Sequence, residues 1–404
     1  MKKLLMLGGA QSQISAIKKA RDMGCYIIIC DTLEEAPGKK YAHEYYNICT
    51  TDKEAVLHVA KSLQIDGIVS YAADSGVLTA AYVAEKLGLP SHPYKSVETI
   101  TNKELFRKFQ QAHDFHIPKA KAYSSVDQAK ADFHRFTLPV MIKPVDSSGS
   151  KGISKIDSIY LLEEKAGIAL RFSKTKRFII EEYIENYGPH IGGDGFSVNG
   201  KLVFRSFSNE YFSVNCANPF VSITATWPSI MPERIQNSVH EEIQRLLGLL
   251  EMKTGAYNFD IRVDQQENVY LIEMAARNGG DWNPDLIQCV TGVDLIEYTI
   301  KAALGENCSC LMMARPQGYW ASYVLHSERK GIFKEIKIAE ELKNNVVTSY
   351  LTVNLGERVS PSLDGHVYLG LMVLRFSSIC EMKEKTKRLH EHIQAFVEDI
   401  NIRC

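Results

Sequence analysis

The first ninety residues alternate between short apolar segments and amphipathic helical segments. Leu4–Leu7, Tyr26–Cys30 and Gly67–Ser70 are apolar runs of strand length, which indicates buried strands. Repeated strand–helix units predict a parallel sheet, and ligands of such sheets bind beyond the carboxyl ends of the strands. Gly8-Gly9 and Asp74-Ser75 lie at two of these ends. Two helices are predicted from apolar residues at helical spacing: Ile14, Ile17, Ala20 and Met23 in one, and Val77, Ala80, Ala81, Ala84 and Leu87 in the other.

The pattern changes near residue 97, after which strands and helices no longer alternate regularly. Asn199-Gly200 separates two alternating segments and predicts a type I′ hairpin. Beyond residue 305 the chain is again rich in strands. The other predicted elements are a helix over 103–111 with Leu105, Phe106 and Phe109 inward, the strands Pro139–Lys143 and Arg177–Glu182, a long helix after Pro232, and the paired strands Ala256–Val263 and Val269–Met274.

Composition and charge narrow the classes of protein. The 404 residues are 45% hydrophobic and 24% charged, which is typical of a soluble globular protein. The length predicts roughly two to four domains. The formal net charge of -1 creates no positive field that would attract nucleic acid or an anionic membrane, so neither partner is expected.

Apolar runs and cysteines predict a cytoplasmic protein. The apolar run after Met1 ends at Gly8-Gly9, too soon for the core of a signal peptide, and no later run approaches the roughly 18 apolar residues of a membrane span. The 9 cysteines are scattered without a C-x-x-C pair. This pattern predicts free thiols in a reducing compartment rather than disulfides or structural zinc.

A strand that ends in lysine is followed by a loop of small residues. The apolar strand reaches Lys143, and Asp146–Gly152 then reads Asp-Ser-Ser-Gly-Ser-Lys-Gly. Such a loop exposes backbone N–H groups that can bind an anion, and the lysine supplies a fixed cation. The pattern predicts a phosphate site, with Lys143 exposed at the strand end so that its removal changes stability little. A flexible surface loop is the alternative, because glycine loops are common turns.

The segment Phe178-Ile-Ile-Glu-Glu-Tyr-Ile-Glu185 is an apolar strand that runs into a hinge. Its end offers exposed backbone groups and a carboxylate, which together suit the edge of an adenine ring. An ordinary strand with a charged end would have the same residues.

Two acids, Asp260 and Glu273, fall on the strands predicted to pair across the turn Asp264–Asn268. If their side chains share a face, they lie within a few ångströms of each other, since cross-strand Cβ atoms are about 4.5–5.5 Å apart. Two carboxylates so close need protonation or a cation between them. Oxygen ligands suit Mg²⁺, so a magnesium site is predicted. The alternative is that one of the two side chains faces solvent.

Arg277 follows the second acid by four residues, in Glu273-Met-Ala-Ala-Arg-Asn-Gly-Gly280. Arginine at this spacing would place a permanent planar cation beside a reacting phosphate. A structural ion pair between Glu273 and Arg277 is the alternative.

These patterns, in this order and together with Lys103 in Thr101-Asn-Lys103, resemble the ATP-grasp superfamily of carboxylate–amine or carboxylate–thiol ligases. The resemblance covers about residues 1–300, and the rest resembles more loosely the last domain of biotin-carboxylase-like and amino-acid-ligase members. It implies an α/β and α+β architecture. The implied domains are a Rossmann-like domain over 1–98, a two-lobed ATP-grasp domain over 99–305 and a strand-rich α+β domain over 306–404.

The resemblance also implies roles for single residues. Arg277 would stabilise the acyl phosphate and the tetrahedral intermediate as the catalytic residue, and Asp260 and Glu273 would bind Mg²⁺, with Mn²⁺ able to substitute. Glu181 would meet the adenine amino group, Glu182 and Ile184 would present backbone atoms to the ring, and His190 would contact the ribose. The residues that would bind ATP are Lys103, Lys143, Ser147, Ser148, Gly149, Ser150, Gly152, Glu181, Glu182, Ile184 and His190.

One position departs from the family pattern. Relatives commonly carry Asn two residues after the second metal acid, where this chain has Ala275. One oxygen ligand is then missing unless Asn258, Asn278 or water replaces it. Because Mg²⁺ keeps waters readily, the departure weakens a two-metal site without excluding catalysis.

The implied activity is ATP-dependent ligation with release of ADP and phosphate. The substrates would be a small carboxylate, for which we favour an amino acid, and an amine or thiol nucleophile. Carboxylation of a nitrogen nucleophile through carboxyphosphate is the alternative in the same class, and a homodimer is left open.

Two readings from other classes are weaker. A non-catalytic nucleotide sensor is favoured only by Ala275. A nicotinamide oxidoreductase is suggested by Gly8-Gly9 and Asp31, but the residues after Gly8 do not form G-x-G-x-x-G.

Overall fold

The computed structural model describes residues 1–212, 218–361 and 368–399. The chain starts with β1 (Lys3–Leu7), α1 (Ile14–Asp22), β2 (Tyr26–Asp31), β3 (Glu44–Asn47), α2 (Lys53–Leu63), β4 (Gly67–Val69) and α3 (Asp74–Leu87). The four strands pair in parallel in the order β3-β2-β1-β4, which confirms the predicted parallel sheet. We call β1–β4 with α1–α3 the N-terminal layer.

Both faces of this sheet are covered, which explains the continuous apolar runs in its sequence. Leu4 and Met6 pack with Ile27 and Ile29 on one face, while Leu5 and Leu7 pack with Ile28 and Cys30 on the other. The sequence patterns did not predict β3 and α2. The four residues of β3 are at most half-buried and include Glu44, so no apolar run marks the strand.

A small antiparallel sheet follows two helices. These elements are α4 (Tyr94–Thr101), α5 (Lys103–Ala112), β5 (Ala120–Tyr123), α6 (Val126–Asp132), β6 (Val140–Pro144), β7 (Ser154–Ile156), α7 (Leu162–Phe172) and β8 (Phe178–Glu182). The strand order is β5-β8-β6-β7. Val140 and Ile142 pack with residues of α6 and α7, so the intervening Met141 and Lys143 belong to the opposite face.

A large antiparallel sheet forms the centre of the molecule. Its elements before residue 305 are β9 (His190–Val198), β10 (Lys201–Phe212), β11 (Ser222–Trp227), α8 (Glu233–Leu249), β12 (Gly255–Val263), β13 (Val269–Ala275), α9 (Asn283–Thr291) and α10 (Leu295–Ala303). Asn199 and Gly200 have φ of 50° and 80°, as the predicted hairpin turn requires. The long predicted helix is α8, and its apolar stripe is buried against the sheet through Ile235, Val239, Ile243, Leu246 and Leu247.

The remaining elements are β14 (Tyr319–Leu325), β15 (Gly331–Ile338), α11 (Glu340–Lys343), β16 (Val346–Leu351), β17 (Arg358–Val359), β18 (Gly370–Phe376), α12 (Ile379–Thr386), α13 (Leu389–His392) and β19 (Ile393–Glu398). Three of these strands extend the large sheet to the order β13-β12-β9-β10-β11-β14-β18-β16, and β17-β15-β19 form a separate sheet. The large sheet therefore continues across the expected boundary at 305/306, and the domain limits stay a prediction.

Two further features concern helices and cysteines. Within the described residues, no helix combines the length and apolar character needed to cross a membrane. The cysteines in the described ranges are free thiols: Cys25, Cys30, Cys49, Cys289, Cys308, Cys310 and Cys380.

Candidate active site

A cleft of about 1080 Å³ lies between the small sheet and the large sheet. Its walls come from β6, β8 and the loop 146–152 on one side, and from β9, β12 and β13 on the other. All residues that the sequence analysis assigned to nucleotide or metal line this one cleft: Lys103, Lys143, Ser147, Ser148, Gly149, Ser150, Gly152, Glu181, Glu182, Ile184, His190, Asp260 and Glu273. Arg277 does not line this cleft and instead borders a smaller cavity.

Asp260 and Glu273 lie opposite each other because the hairpin of β12 and β13 contains a bulge. Ile261 pairs with Leu271, so regular alternation would set Asp260 opposite Ile272 and turn Glu273 towards the core. The register shifts between Asp260 and Ile261, and Asp260 pairs with Glu273. A bulge of this kind re-aims a side chain, and here it brings both acids to the cleft.

The two acids are partly open to the cleft. The Asp260 side chain is 42% exposed and the Glu273 side chain 38%. His190 Nε2 lies 2.8 Å from Asp260 Oδ1, and Lys103 Nζ lies 3.2 Å from Glu273 Oε1. Burial opposes the charge of Asp260, but His190 and Lys143 outweigh burial and lower the pKa of that carboxyl. Two carboxyl groups side by side on neighbouring strands supply the oxygen ligands that suit a hard divalent cation.

His190 was expected at a ribose, and in the structure its side chain lies beside one of the two acids, Asp260. Its ring contacts Asp260 and also packs edge-on to Phe212, another residue of the cleft. The role of His190 towards a nucleotide stays a prediction.

Ala275, where relatives commonly carry Asn, pairs with Asn258 across the same hairpin. Asn258 Nδ2 donates to Asp194 Oδ1 at 2.9 Å. Asn278 is fully buried, and its Oδ1 accepts a hydrogen bond from Thr299. Of the two asparagines considered as substitutes, Asn258 is therefore the one on the ladder that carries the acids.

Lys143 is buried, so the expectation of an exposed strand-end lysine is wrong. Only 6% of the residue is exposed, and its Nζ lies 2.9 Å from Glu181 Oε2. Arg107 Nε lies 2.8 Å from the other oxygen, Glu181 Oε1. Burial raises the pKa of Glu181, but Arg107 and Lys143 outweigh it and hold that pKa below its usual range. Both carboxylate oxygens expected at an adenine amino group are thus bound to cations of the protein.

Arg107 is the residue of the site that the sequence analysis missed. Besides contacting Glu181, it donates from Nη2 to Ile272 O at 2.9 Å, while Gln110 Nε2 donates to Leu271 O at 2.9 Å. Arg107 therefore connects the acid that holds Lys143 with the bulge that directs Glu273.

The sequence feature that could have identified Arg107 is its helical spacing from the other buried residues of α5. Lys103, Phe106, Arg107 and Gln110 form its buried face. Leu105 and Phe109, which were expected to face inward, are only half-buried. Polar residues at buried positions concealed the true face of this helix.

The loop 146–152 is fixed by hydrogen bonds at several points. Lys103 Nζ donates to Ser147 O at 2.8 Å, and Ser150 Oγ donates to Phe220 O at 2.7 Å. Gly149, Ser150 and Gly152 have φ of 64°, 57° and 71°. This left-handed backbone is one that glycine adopts readily, and turns of this kind form anion-binding nests.

Glu182 and Ile184 continue from β8 along the edge of the cleft. Glu182 Oε1 accepts from Thr137 N at 2.8 Å, and Ile184 O accepts from Arg262 Nη1 at 2.7 Å. The side chain of Glu182 and the carbonyl of Ile184 are thus held in place by neighbouring segments.

Arg277 pairs with Asp74 of the N-terminal layer. Its Nε donates to Asp74 Oδ1 at 2.8 Å and its Nη2 to Asp74 Oδ2 at 2.8 Å. The alternative of a structural pair with Glu273 is not what the described residues form, since Glu273 instead contacts Lys103.

The glycine loop after β1 is filled by side chains of the protein. Gly9 N donates to Asp31 Oδ2 at 2.7 Å, and Ala10 N donates to Gln13 Oε1 at 2.7 Å. Amides that a dinucleotide phosphate would use are therefore already bonded, which further weakens the oxidoreductase reading.

A parallel N-terminal layer followed by a large cleft between two antiparallel sheets defines the class of ATP-grasp folds. Residues 136–285 match the family model of the ATP-grasp domain. The chain therefore contains an ATP-grasp domain over residues 136–285, which confirms the resemblance seen in the sequence.

Similarity to curated proteins covers part of this chain. Uncharacterized protein y4rH of Sinorhizobium fredii is 26% identical over 274 residues, which cover 66% of this chain and 55% of that protein. The chain spans about half the length of the curated relatives it matches first.

Two solved structures share the fold over nearly the whole chain. The L-amino acid ligase of Bacillus licheniformis has a TM-score of 0.82 and 19% identity, covering 99% of both chains. The biotin carboxylase domain of 2-oxoglutarate carboxylase from Hydrogenobacter thermophilus, solved with MgADP and bicarbonate, has a TM-score of 0.77 and 16% identity, covering 98% of this chain and 91% of that one.

Proposed function

We propose that the protein is an ATP- and Mg²⁺-dependent ligase that activates a small carboxylate as an acyl phosphate and joins it to an amine or thiol, releasing ADP and phosphate. One observation carries the proposal: the lysines, the loop 147–152 and the paired acids of an ATP-grasp domain converge on one cleft. The cleft, about 1080 Å³, has room for a nucleotide and a small substrate.

The nucleotide phosphates would lie between Lys103, Lys143 and the amides of the loop 147–152. Met141 and Ile272, buried apolar residues on opposite sheets of the cleft, supply surface for the purine ring. Glu182 and Ile184 would present backbone atoms to the ring edge. Glu181 is assigned to holding Lys143, because its carboxylate is bound by two cations.

Asp260 and Glu273 would hold Mg²⁺, and a bound Mg²⁺ screens the phosphoryl oxygens during transfer. An oxygen of the substrate carboxylate attacks the γ-phosphorus and the bond to ADP breaks. The amine nitrogen or thiol sulfur then attacks the acyl carbon, and phosphate leaves. Arg277 would stabilise the negative charge that develops in the second step.

An assay with a general nucleophile tests the proposal before the substrates are known. The protein is incubated with Mg·ATP, hydroxylamine and each of the twenty L-amino acids, and ADP, AMP, phosphate and hydroxamate are measured. We expect ADP, phosphate and hydroxamate in equal amounts with a subset of the carboxylates. AMP and pyrophosphate would contradict an acyl phosphate and indicate adenylation.

Two further results would indicate the alternatives. Release of ADP that depends on bicarbonate rather than on an amino acid would indicate carboxylation through carboxyphosphate. Binding of Mg·ATP without any release of ADP would indicate a nucleotide sensor.

A further inference from the structure

We propose that Asp74 is a positioning residue for Arg277, so that the N-terminal layer completes the site of acyl transfer. The inference rests on the proposed function, because it concerns the reaction assigned to Arg277. It adds a residue from a part of the chain that lies outside the ATP-grasp match at 136–285.

Both carboxylate oxygens of Asp74 accept hydrogen bonds from one edge of the Arg277 guanidinium. The two hydrogen bonds, from Nε and Nη2, are each 2.8 Å long. Paired bonds of this kind fix the plane of the guanidinium as well as its distance. The two residues are 203 positions apart in the chain, so the pair joins the N-terminal layer to the end of β13.

Asp74 is itself held firmly. It is the first residue of α3, which follows β4 at the carboxyl edge of the parallel sheet. A Cβ on Gly76 would lie 2.8 Å from Ser70 Oγ and 3.0 Å from Leu7 Cβ, so the start of α3 packs directly on the sheet. A carboxylate in the first turn is also favoured by the helix dipole.

Packing on its own does not fix Arg277. A cavity of about 80 Å³ borders it, lined mainly by small and apolar residues such as Val77, Ala81 and Ala276. A cavity removes the van der Waals contacts that would otherwise hold a side chain on that side. The orientation of Arg277 therefore depends on its polar partners, of which Asp74 supplies two bonds and the carbonyl of Asn278 a third.

The arrangement leaves Arg277 able to act on a substrate. A guanidinium has five N–H groups, and the bonds to Asp74 and Asn278 use three of them. Two N–H groups remain for an oxyanion by this count over the described residues. Burial opposes the charge, but Asp74, Asp194 and Glu273 outweigh burial and raise the pKa of Arg277.

The test compares Asp74→Asn and Asp74→Ala with the wild-type protein in the hydroxylamine assay. The asparagine variant keeps the size and shape of the side chain, so it should fold even if the alanine variant does not. We expect kcat for hydroxamate to fall about 10- to 100-fold, less than the 10²–10³ typical of removing a stabilising donor itself. KM for ATP should stay within about twofold, because Asp74 does not line the nucleotide cleft.

A double variant separates positioning from a general structural role. Because Asp74 acts through Arg277, Asp74→Ala should change kcat little in a protein that already carries Arg277→Ala. The matched control is Lys19→Met, which breaks a contact of similar length, 2.6 Å, to Asp294; neither of these two residues lines the cleft. We expect this control to keep the wild-type rate.

Three results would overturn the inference: wild-type kcat in both Asp74 variants, an equal loss in the Lys19 control, or multiplicative losses in the double variant. A wild-type protein that releases no ADP from Mg·ATP would instead contradict the proposed function, and the inference with it. The first three results leave the proposed function standing, so the two failures are distinguishable.

Discussion

At the scale of residues, the candidate site depends on charges that are buried in pairs. Lys143 and Arg107 flank Glu181, which is 2% exposed, and Lys103 contacts both Glu273 and the carbonyl of Ser147. A buried charge that loses its partner is costly, because its desolvation is no longer offset. Single substitutions here should therefore change stability as well as ligand binding.

Lys143→Ala should both destabilise the protein and weaken its binding of ATP. The change leaves buried Glu181 with Arg107 as its remaining cation, at a cost of roughly 2–4 kcal/mol in the free energy of unfolding. The matched control is Lys121→Ala on β5, whose solvent-screened pair with Asp132 should contribute little to stability. Urea unfolding and ATP titration of the two variants measure this difference. Equal stability of the two variants would contradict the role given to the buried pair.

The sequence predicted which residues meet at the site, but it did not predict the contacts that fix their side chains. Asp260, Glu273 and Lys143 line one cleft, as their motifs indicated. The burial of Lys143 was missed because it depends on Arg107 from α5, a contact between segments far apart in the chain. Spacing within one motif carries no information about such a contact.

At the scale of elements, the loop 146–152 and the hairpin of β12 and β13 set the geometry of the cleft. The hairpin was predictable, but its bulge was not, because the spacing of residues along each strand does not show where the pairing register shifts. The inward face of α5 was misjudged for a related reason, since its buried positions include Lys103, Arg107 and Gln110. Sequence patterns identify an element more readily than its irregularities.

Gly152→Ala should disturb the loop and weaken ATP binding. Gly152 has a φ of 71°, and an added Cβ would lie 2.9 Å from the ring of Phe172 and 3.1 Å from Pro144. The matched control is Gly88→Ala, with a φ of 67° and no atom within 4 Å of the added Cβ. Both variants should lose about 1 kcal/mol of stability from backbone strain. Only Gly152→Ala should also raise the Kd for Mg·ATP, and calorimetry that finds equal Kd values would contradict the loop assignment.

At the scale of the molecule, the segment between α3 and α4 packs on the large sheet through a buried histidine. His92 Nδ1 accepts a hydrogen bond from Lys253 N at 3.1 Å, and its ring stacks on Tyr257 with centroids 5.1 Å apart. Burial lowers the pKa of His92 from 6.5 to about 4. The folded protein thus keeps this ring neutral at pH values where the unfolded chain protonates it.

Stability should therefore fall as the pH drops from about 6.5 towards 4. The unfolded state binds the proton first, so the loss from His92 reaches roughly 3 kcal/mol near pH 4. His92→Asn retains an acceptor for Lys253 N and should flatten this part of the curve, whereas His58→Asn, at an exposed position, should not. Urea unfolding of the three proteins at a series of pH values makes the comparison. An unchanged slope in His92→Asn would show that other groups control the acid limb.

The architecture of the whole molecule was predictable in outline. The parallel start, the long helix α8 and the paired strands that carry the acids came from hydrophobic periodicity. The extension of the large sheet by β14, β18 and β16 could not be predicted from periodicity, because strand order depends on pairing between distant segments. The contact of Asp74 with Arg277 has the same origin and was not foreseen.

The most direct test of the account is single-turnover release of ADP, measured together with thermal stabilisation by Mg·ATP, in Glu273→Gln and Arg277→Ala. Glu273 is proposed to hold the metal, so Glu273→Gln should lose ADP release of every kind, including hydrolysis without a second substrate. Arg277 is proposed to act after phosphoryl transfer, so Arg277→Ala should keep most of the stabilisation by Mg·ATP while hydroxamate formation falls about 10²–10³-fold. Full Mg·ATP stabilisation with near-normal turnover in both variants would contradict the account, because the acids and the arginine would then be structural.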